Sequence, residues 1–323
     1  MRLALAGDTM LGRKVAERLG TEPPASLVSP AVADVCREAD LFLLNLECCI
    51  SDRGDRWPDP AKAFFFRGPP RAVDTLVHLG VDCVTLANNH ALDFGSEALG
   101  DTLAHLEAAG IRHVGAGRDL ASARRPVVLE VSGVRLGVVG VSDHPEDFAA
   151  APGRPGIAFA DLSPGVPGWL TSLIRELADE VDVVLVTPHW GPNMTSAPIA
   201  YVRDAAETLV TAGASLIAGH SAHVFHGVAG PVLYDLGDFL DDYAVDPDLR
   251  NDLGLLWFVD IDERGPVRLE VVPLKLDYCL TDLAEGGDAD QIRRRFREAC
   301  SAMGTDVSDR GGRLAVQLRR VAG

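Results

Sequence analysis

The chain has 323 residues, of which 47% are hydrophobic and 24% charged, a composition typical of a globular rather than a disordered protein. Its net charge of −17 argues against a nucleic-acid-binding face, which needs a basic surface, and against adsorption to anionic lipid. No apolar run reaches the length of a membrane span, and the first residues lack the pattern of a secretory signal. We therefore expect a cytoplasmic protein that binds neither nucleic acid nor membrane, with its six cysteines reduced.

Short, almost continuous apolar runs predict strands that are covered on both faces. Each run ends in polar residues, and amphipathic helical patterns lie between the runs. The predicted strands cover residues 2–7, 41–47, 83–90, 181–190 and 214–223. The predicted helices cover residues 11–20, 30–39, 70–80, 96–109, 167–180, 200–212 and 286–303.

Two further segments, residues 126–142 and 253–276, have the alternating pattern of β-hairpins, with turns at Ser132-Gly133 and at Glu263-Arg264-Gly265. Alternating strands and helices with added hairpins predict a layered α/β fold with mixed sheets. Neither an internal repeat nor a linker-like composition interrupts the chain. We therefore predict one domain over residues 1–323.

Several predicted strands end in a side chain that can bind a metal ion. In open α/β sheets, ligands gather beyond the carboxyl ends of the strands, so residues far apart in sequence can converge there. A mixture of carboxylate, amide and imidazole groups suits Mn, Fe or Zn. The strand-end candidates are Asp8, Asn45, Glu47, Asn88, Asn89, His90, His189, His220 and His223.

Each of these residues, taken alone, also has a structural interpretation. Asp8 could cap the helix that is predicted to follow it. Asn88 and Asn89 could form an ordinary turn, and a single histidine such as His90 could be hydrogen-bonded in the core. Their recurrence at strand ends favours a shared site over independent structural roles.

Five motifs resemble those of the CapA-type family of capsule and poly-γ-glutamate synthesis proteins, and they occur in the same order as in that family. They span most of residues 1–240 and read GDTMLGR (7–13), LNLECCIS (44–51), LANNHALDFG (86–95), PHWG (188–191) and the stretch from AGHSAHV to YDLGDF (218–239). The resemblance implies the calcineurin-like metallophosphoesterase fold, with two packed mixed β-sheets flanked by helices and a two-metal site at one edge. Residues 241–323 would then add a C-terminal hairpin and helix that pack on this body.

The resemblance also implies roles for individual residues. His90 would act on the leaving group as an acid or charge stabiliser, with Asp93 beside it as a second catalytic residue. One or two divalent ions, Mn, Fe or Zn, would be held by Asp8, Glu47, Asn89, His189, His220 and His223. The predicted substrate-binding residues are Asn45, Arg67, Trp190 and His226.

The chain departs from the family pattern at positions that bear on metal binding. Met10 stands where a two-metal phosphoesterase normally has a histidine, and Ser221 replaces the first histidine of a common His-Pro-His motif. We predict that His220, one place earlier, compensates for Ser221 by pointing into the site. Asn193 replaces a frequent glutamate, and Asp238 replaces the asparagine of the common Ser-Leu-Gly-Asn-Phe motif.

These observations favour a metal-dependent hydrolase, in which a metal-bound hydroxide attacks a phosphoester of a small anionic substrate. Capsule-type members usually carry an N-terminal membrane anchor, which this sequence does not have, so a stand-alone enzyme is expected. One alternative is hydrolysis or transfer at a γ-glutamyl or related amide. Another is a non-catalytic accessory subunit with a degenerate metal site. The oligomeric state is left open.

Overall fold

The predicted apolar runs form the central strands of two β-sheets in a computed structural model that describes residues 1–318. The last five residues of the predicted domain lie outside the described residues, and the division into a single domain stays a prediction. The strands are β1 (Arg2–Thr9), β2 (Leu41–Leu46), β3 (Cys49–Ile50), β4 (Arg67–Gly68), β5 (Cys83–Thr85), β6 (Arg112–Val114), β7 (Ala116–Gly117), β8 (Val127–Val131), β9 (Val134–Ser142), β10 (Gly156–Ile157), β11 (Val183–His189), β12 (Leu216–Ala218), β13 (Val228–Ala229), β14 (Val232–Leu233), β15 (Asp238–Leu240), β16 (Leu253–Asp262), β17 (Gly265–Asp277), β18 (Leu280–Leu283), β19 (Ser308–Arg310) and β20 (Arg313–Gln317).

The helices agree with the seven predicted segments to within a few residues at each end, and one short helix is added. They are α1 (Arg13–Thr21), α2 (Pro30–Cys36), α3 (Val73–Leu79), α4 (Gly95–Ala108), α5 (Leu120–Ala123), α6 (Gly168–Ala178), α7 (Ala200–Ala212) and α8 (Gly286–Ser301). Within residues 1–318, none of them combines the length and apolar character that crossing a bilayer requires.

Two predicted strands are shorter than expected, and both end where the candidate site begins. The strand predicted over residues 83–90 ends at Thr85, and the following asparagine-rich residues form a turn. The strand predicted over residues 214–223 covers only Leu216–Ala218, because Ser221 and His223 take positive φ angles of 112° and 59° that leave the ladder. Both hairpins are present with the predicted turns.

The first sheet has ten strands, ordered β19-β20-β17-β16-β1-β2-β5-β6, with β15 paired to β1 and β18 paired to β17. Strand β1 lies parallel to β2 and antiparallel to β16, so the sheet is mixed as predicted. The second sheet has six strands in the order β13-β14-β12-β11-β9-β8.

Alternating side chains of the central strands divide the core into layers. Leu3 and Leu5 of β1 pack in one cluster with Val183 and Leu185 of β11, so this cluster fills the space between the sheets. The opposite face of the first sheet packs on α1–α4, and the opposite face of the second sheet packs on α6 and α7. The layered α/β fold predicted from the sequence is confirmed, with helices on both outer faces of a two-sheet sandwich.

Strand β1 passes so close to the backbone just before β15 that only glycine fits at this crossing of Gly7 and Gly237. The amide of Asp8 donates a hydrogen bond of 2.9 Å to the carbonyl of Gly237. A Cβ added at Gly7 would lie 1.7 Å from that carbonyl oxygen. Gly7 therefore allows β15 to pair with the end of β1, where Asp8 lies.

We predict that Gly7→Ala destabilises the protein by at least about 3 kcal/mol, because the added methyl group must displace the backbone at Gly237. Gly20→Ala is the matched control, since a Cβ at this exposed helical position meets nothing within 4 Å. It should be neutral or stabilising by up to about 1 kcal/mol. Urea unfolding of both variants tests this, and equal stabilities would contradict the role given to the crossing.

Candidate metal centre

The candidate site lies where the carboxyl ends of parallel strands from the two sheets meet. In the first sheet, Asp8 is opposite Asn45 in the parallel register of β1 and β2. In the second sheet, His189 ends β11 and forms an isolated bridge with His220, just beyond β12. The strand ends thus bring together residues that are separated by most of the chain.

Carboxylates from the first sheet and imidazoles from the second face one another. One ligand atom each from Asp8, Glu47 and His223 lie within 4.8 Å of one another. His220 Nδ1 is 3.3 Å from Asp8 Oδ1, and His189 Nε2 is 3.9 Å from Glu47 Oε1. All five side chains are buried. His220 thus points into the cluster, while Ser221 Oγ instead donates to the carbonyl of Gly191.

Several polar atoms at this site are buried without a hydrogen-bond partner in the part of the chain that the structure describes. They are Asp8 Oδ2, Glu47 Oε1, Asn89 Oδ1, both ring nitrogens of His189, and His220 Nδ1. Buried polar atoms are normally hydrogen-bonded, so such a group requires an explanation. These atoms are all metal-ligand types, and together they fit a divalent cation of the Mn, Fe or Zn class.

The charges of the cluster are strongly coupled. Burial, reinforced by Asp8, raises the pKa of Glu47 well above its usual value. Burial would also raise the pKa of Asp8, but the neighbouring His220 and His223 imidazoles hold it well below its usual value. Burial lowers the pKa of His189, which keeps this imidazole neutral, as metal ligation requires.

His223 differs from His189 because carboxylates surround it. Burial alone would lower the pKa of His223, but Asp238, Glu47 and Asp8 together raise it well above the usual value. The imidazole therefore carries a proton in the metal-free protein, and a cation would have to displace that proton to bind there.

Asn45, predicted to bind substrate, instead positions Asp8. Its Nδ2 donates a hydrogen bond of 2.7 Å to Asp8 Oδ1, and its Oδ1 accepts one of 2.9 Å from Asn88 Nδ2. Asn45 is 0% exposed. Because both ends of the amide are used inside the protein, Asn45 is not available to a substrate.

His90 belongs to a second unit next to the cluster. His90 Nδ1 donates a hydrogen bond of 2.7 Å to Asp93 Oδ2, and Lys62 Nζ lies 2.9 Å from Asp93 Oδ1. Lys62 also donates to the carbonyl of Asn89, and the Phe66 ring stacks on His90 with centroids 3.9 Å apart. Burial lowers the pKa of His90, and Asp93 acts in the opposite direction. These contacts fix the imidazole and leave its Nε2 as the atom that can exchange a proton.

The loop that carries His220 and His223 is strained, and hydrogen bonds to Asp235 hold it in place. The positive φ angles of Ser221 and His223 cost roughly 1–3 kcal/mol each. Asp235 offsets this strain, because its carboxylate accepts hydrogen bonds of 2.8 Å from the amide of Ala222 and 2.9 Å from the amide of Gly237. Asp235 is thus a positioning residue for the histidines.

The other three predicted substrate contacts are engaged elsewhere. The Arg67 guanidinium donates to the carbonyls of Arg53 and Gly54 and lies 4.0 Å from the Phe94 ring centroid. Trp190 is buried and donates to the carbonyl of Tyr234. His226 is buried, which lowers its pKa to about 4, and Nε2 bonds to the carbonyl of Thr195. These polar groups bond to the protein itself, and a contact of the three residues with substrate stays a prediction.

Sequence reasoning missed three residues near the cluster, namely Asp143, His144 and Tyr243. His144 follows the end of β9, its ring centroid is 5.2 Å from that of His189, and its Nδ1 is bonded to Asp143. The strand-end pattern used for the other ligands could have identified this Asp-His pair. Tyr243, whose hydroxyl lies 3.4 Å from Glu47 Oε2, gave no such signal, because it lies in an irregular segment after β15.

Comparison with known proteins gives consistent results. The model of the family described as bacterial capsule synthesis protein PGA_cap matches residues 2–243. A probable polyglutamine synthesis accessory protein of Mycobacterium tuberculosis is 32% identical, covering 85% of this chain and 76% of the relative. The PGA biosynthesis protein CapA of Bacillus subtilis is 28% identical, covering 84% of this chain and 71% of that protein.

Among solved structures, a phosphatase of Mycoplasma pneumoniae superposes with a TM-score of 0.50 at 12% identity, covering 85% of this chain and 93% of the phosphatase. At this identity the likeness concerns the fold alone. The resemblance inferred from the five sequence motifs and the fold that it implied are both confirmed. This chain belongs to the PGA_cap family of bacterial capsule synthesis proteins, and it has the calcineurin-like metallophosphoesterase fold.

Proposed function

We propose that this protein is a metal-dependent phosphoesterase that acts on a small anionic substrate. The observation that carries the proposal is the set of buried, unpartnered ligand atoms on Asp8, Glu47, Asn89, His189 and His220. Buried polar atoms are normally hydrogen-bonded, and a divalent cation would satisfy these atoms. The set lies next to a histidine whose orientation is fixed.

The proposed centre holds one or two divalent ions, Mn, Fe or Zn, through Asp8, Glu47, Asn89, His189, His220 and His223. When bound, such a cation supplies Lewis acidity to water and to the ester. His90 then holds or delivers a proton at Nε2 for the leaving group, while Asp93 keeps the opposite nitrogen protonated. Lys62 links Asp93 to the backbone of Asn89, so the proton-transfer group and the metal ligand stay in fixed relation.

A small substrate in the cytoplasm agrees with two further observations. The six cysteines are buried and unpaired throughout the described residues, as suits a reducing compartment. Lys62 contributes positive charge beside the site, and its side chain is only 14% exposed. This cation is paired with Asp93, but it lies beside the site on a protein whose net charge is −17.

A second candidate is hydrolysis or transfer at a γ-glutamyl or related amide. The names of the relatives, which refer to PGA and polyglutamine synthesis, favour it. The same Lewis-acid activation of water would serve an amide, and His90 could give its proton to the leaving amine. Parallel assays with a phosphoester and a γ-glutamyl anilide separate these two candidates.

We predict that His90→Ala lowers phosphoester turnover by about 10² to 10⁴ without loss of bound metal, because His90 acts on the leaving group and not on the cation. Glu47→Ala should lower both the turnover and the amount of bound metal, since it removes a metal ligand. Turnover of a generic aryl phosphate, metal content after dialysis and a melting curve are measured for each variant.

His78→Ala, on α3, is the control for removing a partly buried histidine outside the site. Full activity of a folded, metal-loaded His90→Ala protein would refute the catalytic role of His90. If the wild type binds no metal and hydrolyses neither substrate with Mn, Fe or Zn added, a non-catalytic accessory role replaces the proposal.

We also predict that Asp241→Asn stabilises the metal-free protein at pH 7.5 by about 1–3 kcal/mol. Burial raises the pKa of Asp241 from 3.8 to about 6, so the folded protein binds a proton that the unfolded chain releases near pH 4. The stability that this proton contributes is present below about pH 4 and is lost as the pH rises through about 6. Asparagine can keep the hydrogen bond that Asp241 Oδ1 accepts from the amide of Tyr243.

Denaturant titrations of the chelator-treated protein at pH 4 and 7.5 measure this effect, and the difference between variant and wild type should vanish at pH 4. Asp242→Asn is the matched control, because Asp242 is ion-paired with Arg13 and its loss should destabilise the protein. A stabilisation that is equal at both pH values would show that burial of the charge is not its cause.

A further inference from the structure

Strand β15 places a further carboxylate directly beside Asp8. The two strands pair in parallel, with Asp8 opposite Asp238. Asp238 is 1% exposed, and its Oδ1 accepts a hydrogen bond of 2.9 Å from His223 Nδ1. The same nitrogen lies 3.3 Å from Asp8 Oδ2. The His223 imidazole is therefore held between carboxylates from two neighbouring strands.

The second oxygen of Asp238 has nothing to bind. Asp238 Oδ2 is buried and accepts no hydrogen bond from any group within residues 1–318, and the same is true of Asp8 Oδ2. Burial of a carboxylate oxygen that accepts no hydrogen bond is unfavourable. The Arg13 guanidinium does not relieve it, because it is bound to Asp242. A cation bound beside Asp238 Oδ2 would satisfy this oxygen.

The first sequence motif brings no imidazole to this place. Met10, two residues after Asp8, is 0% exposed and belongs to the hydrophobic core on the helical side of the first sheet. Its sulfur accepts a hydrogen bond of 2.9 Å from the amide of Gly12. The metal centre therefore needs a donor from another strand, and β15 is the strand that pairs with the end of β1.

We propose that Asp238 is a ligand of the metal centre and supplies the donor that Met10 cannot. The inference rests on the proposed function in requiring that the centre bind a divalent cation. It adds one charged oxygen to a ligand set that already contains the oxygens of Asp8, Glu47 and Asn89. An oxygen-rich set of this kind favours Mn²⁺ over Zn²⁺, compared with a set in which the same donor is an imidazole.

A different role for Asp238 would be to orient His223 by the hydrogen bond alone. The two roles respond differently to Asp238→Asn. The amide oxygen of asparagine can still accept the bond from His223 Nδ1, so orientation is kept. The charged oxygen is lost, and with it the strong interaction with a hard cation. Metal affinity thus separates a ligand from a residue that only positions one.

In the experiment, the metal-free wild type, Asp238→Asn and Asp93→Asn are each titrated with Mn²⁺. The electron paramagnetic resonance signal of free Mn²⁺ measures how much of the ion remains unbound. Asp93→Asn is the charge control, because the negative charge of Asp93 is close enough to the site to raise the pKa of Glu47. Asp93 is not proposed as a ligand, since its Oδ2 already accepts hydrogen bonds from His90 and from the amide of Phe66. We expect Asp238→Asn to weaken Mn²⁺ binding at least about tenfold. Zn²⁺ binding, measured by competition with a chelator, should weaken less, and the charge control should lose less Mn²⁺ affinity than Asp238→Asn.

Equal losses of Mn²⁺ affinity in the two variants would overturn the assignment of Asp238 while leaving the metal centre in place. A wild type that binds neither cation would overturn the metal centre, and the assignment with it. A second measurement does not depend on how the variant folds. In wild-type crystals soaked in Mn²⁺, an anomalous peak should lie within about 2.3 Å of an Asp238 oxygen, and a peak bound only by other residues would refute the proposal.

Discussion

The burial of Asp8 is the constraint on which the rest of the site depends. Its carboxylate receives a hydrogen bond from Asn45 within its own sheet and faces His220 and His223 from the other sheet. A charge that is 0% exposed can be kept only if such partners are fixed around it. The close approach at Gly7 and the strained loop after β12 both serve this arrangement, because they bring the strand ends to Asp8.

The site contains more carboxylate than its imidazoles can neutralise. Burial raises the pKa values of Glu47, Asp235 and Asp238 well above the usual range, while Asp8 remains ionised through its histidine contacts. A cation would resolve this imbalance, so metal binding and folding stability are expected to be linked. The same imbalance would give the proposed centre an affinity for a cation although Met10 and Ser221 contribute no ligand.

The proposed metal ligands and the proposed proton-transfer group are held by different residues. Asp93 and Lys62 hold His90, whereas Asn45 and Asp235 hold Asp8 and the histidine loop. Lys62 connects the two units through the carbonyl of Asn89. The proposed proton transfer and the proposed binding of a cation would therefore depend on different supporting residues.

The sequence by itself determined the layered fold, the hairpin turns and the strand ends that carry Asp8, Glu47 and His189, because periodicity and turn chemistry are local properties. Tertiary structure alone decided that Asp238 lies opposite Asp8, since pairing register joins strands that are distant in sequence. It also decided which polar groups are already occupied. Asn45, Arg67, Trp190 and His226 had suitable chemistry for a substrate, but each bonds to protein groups that no local pattern reveals.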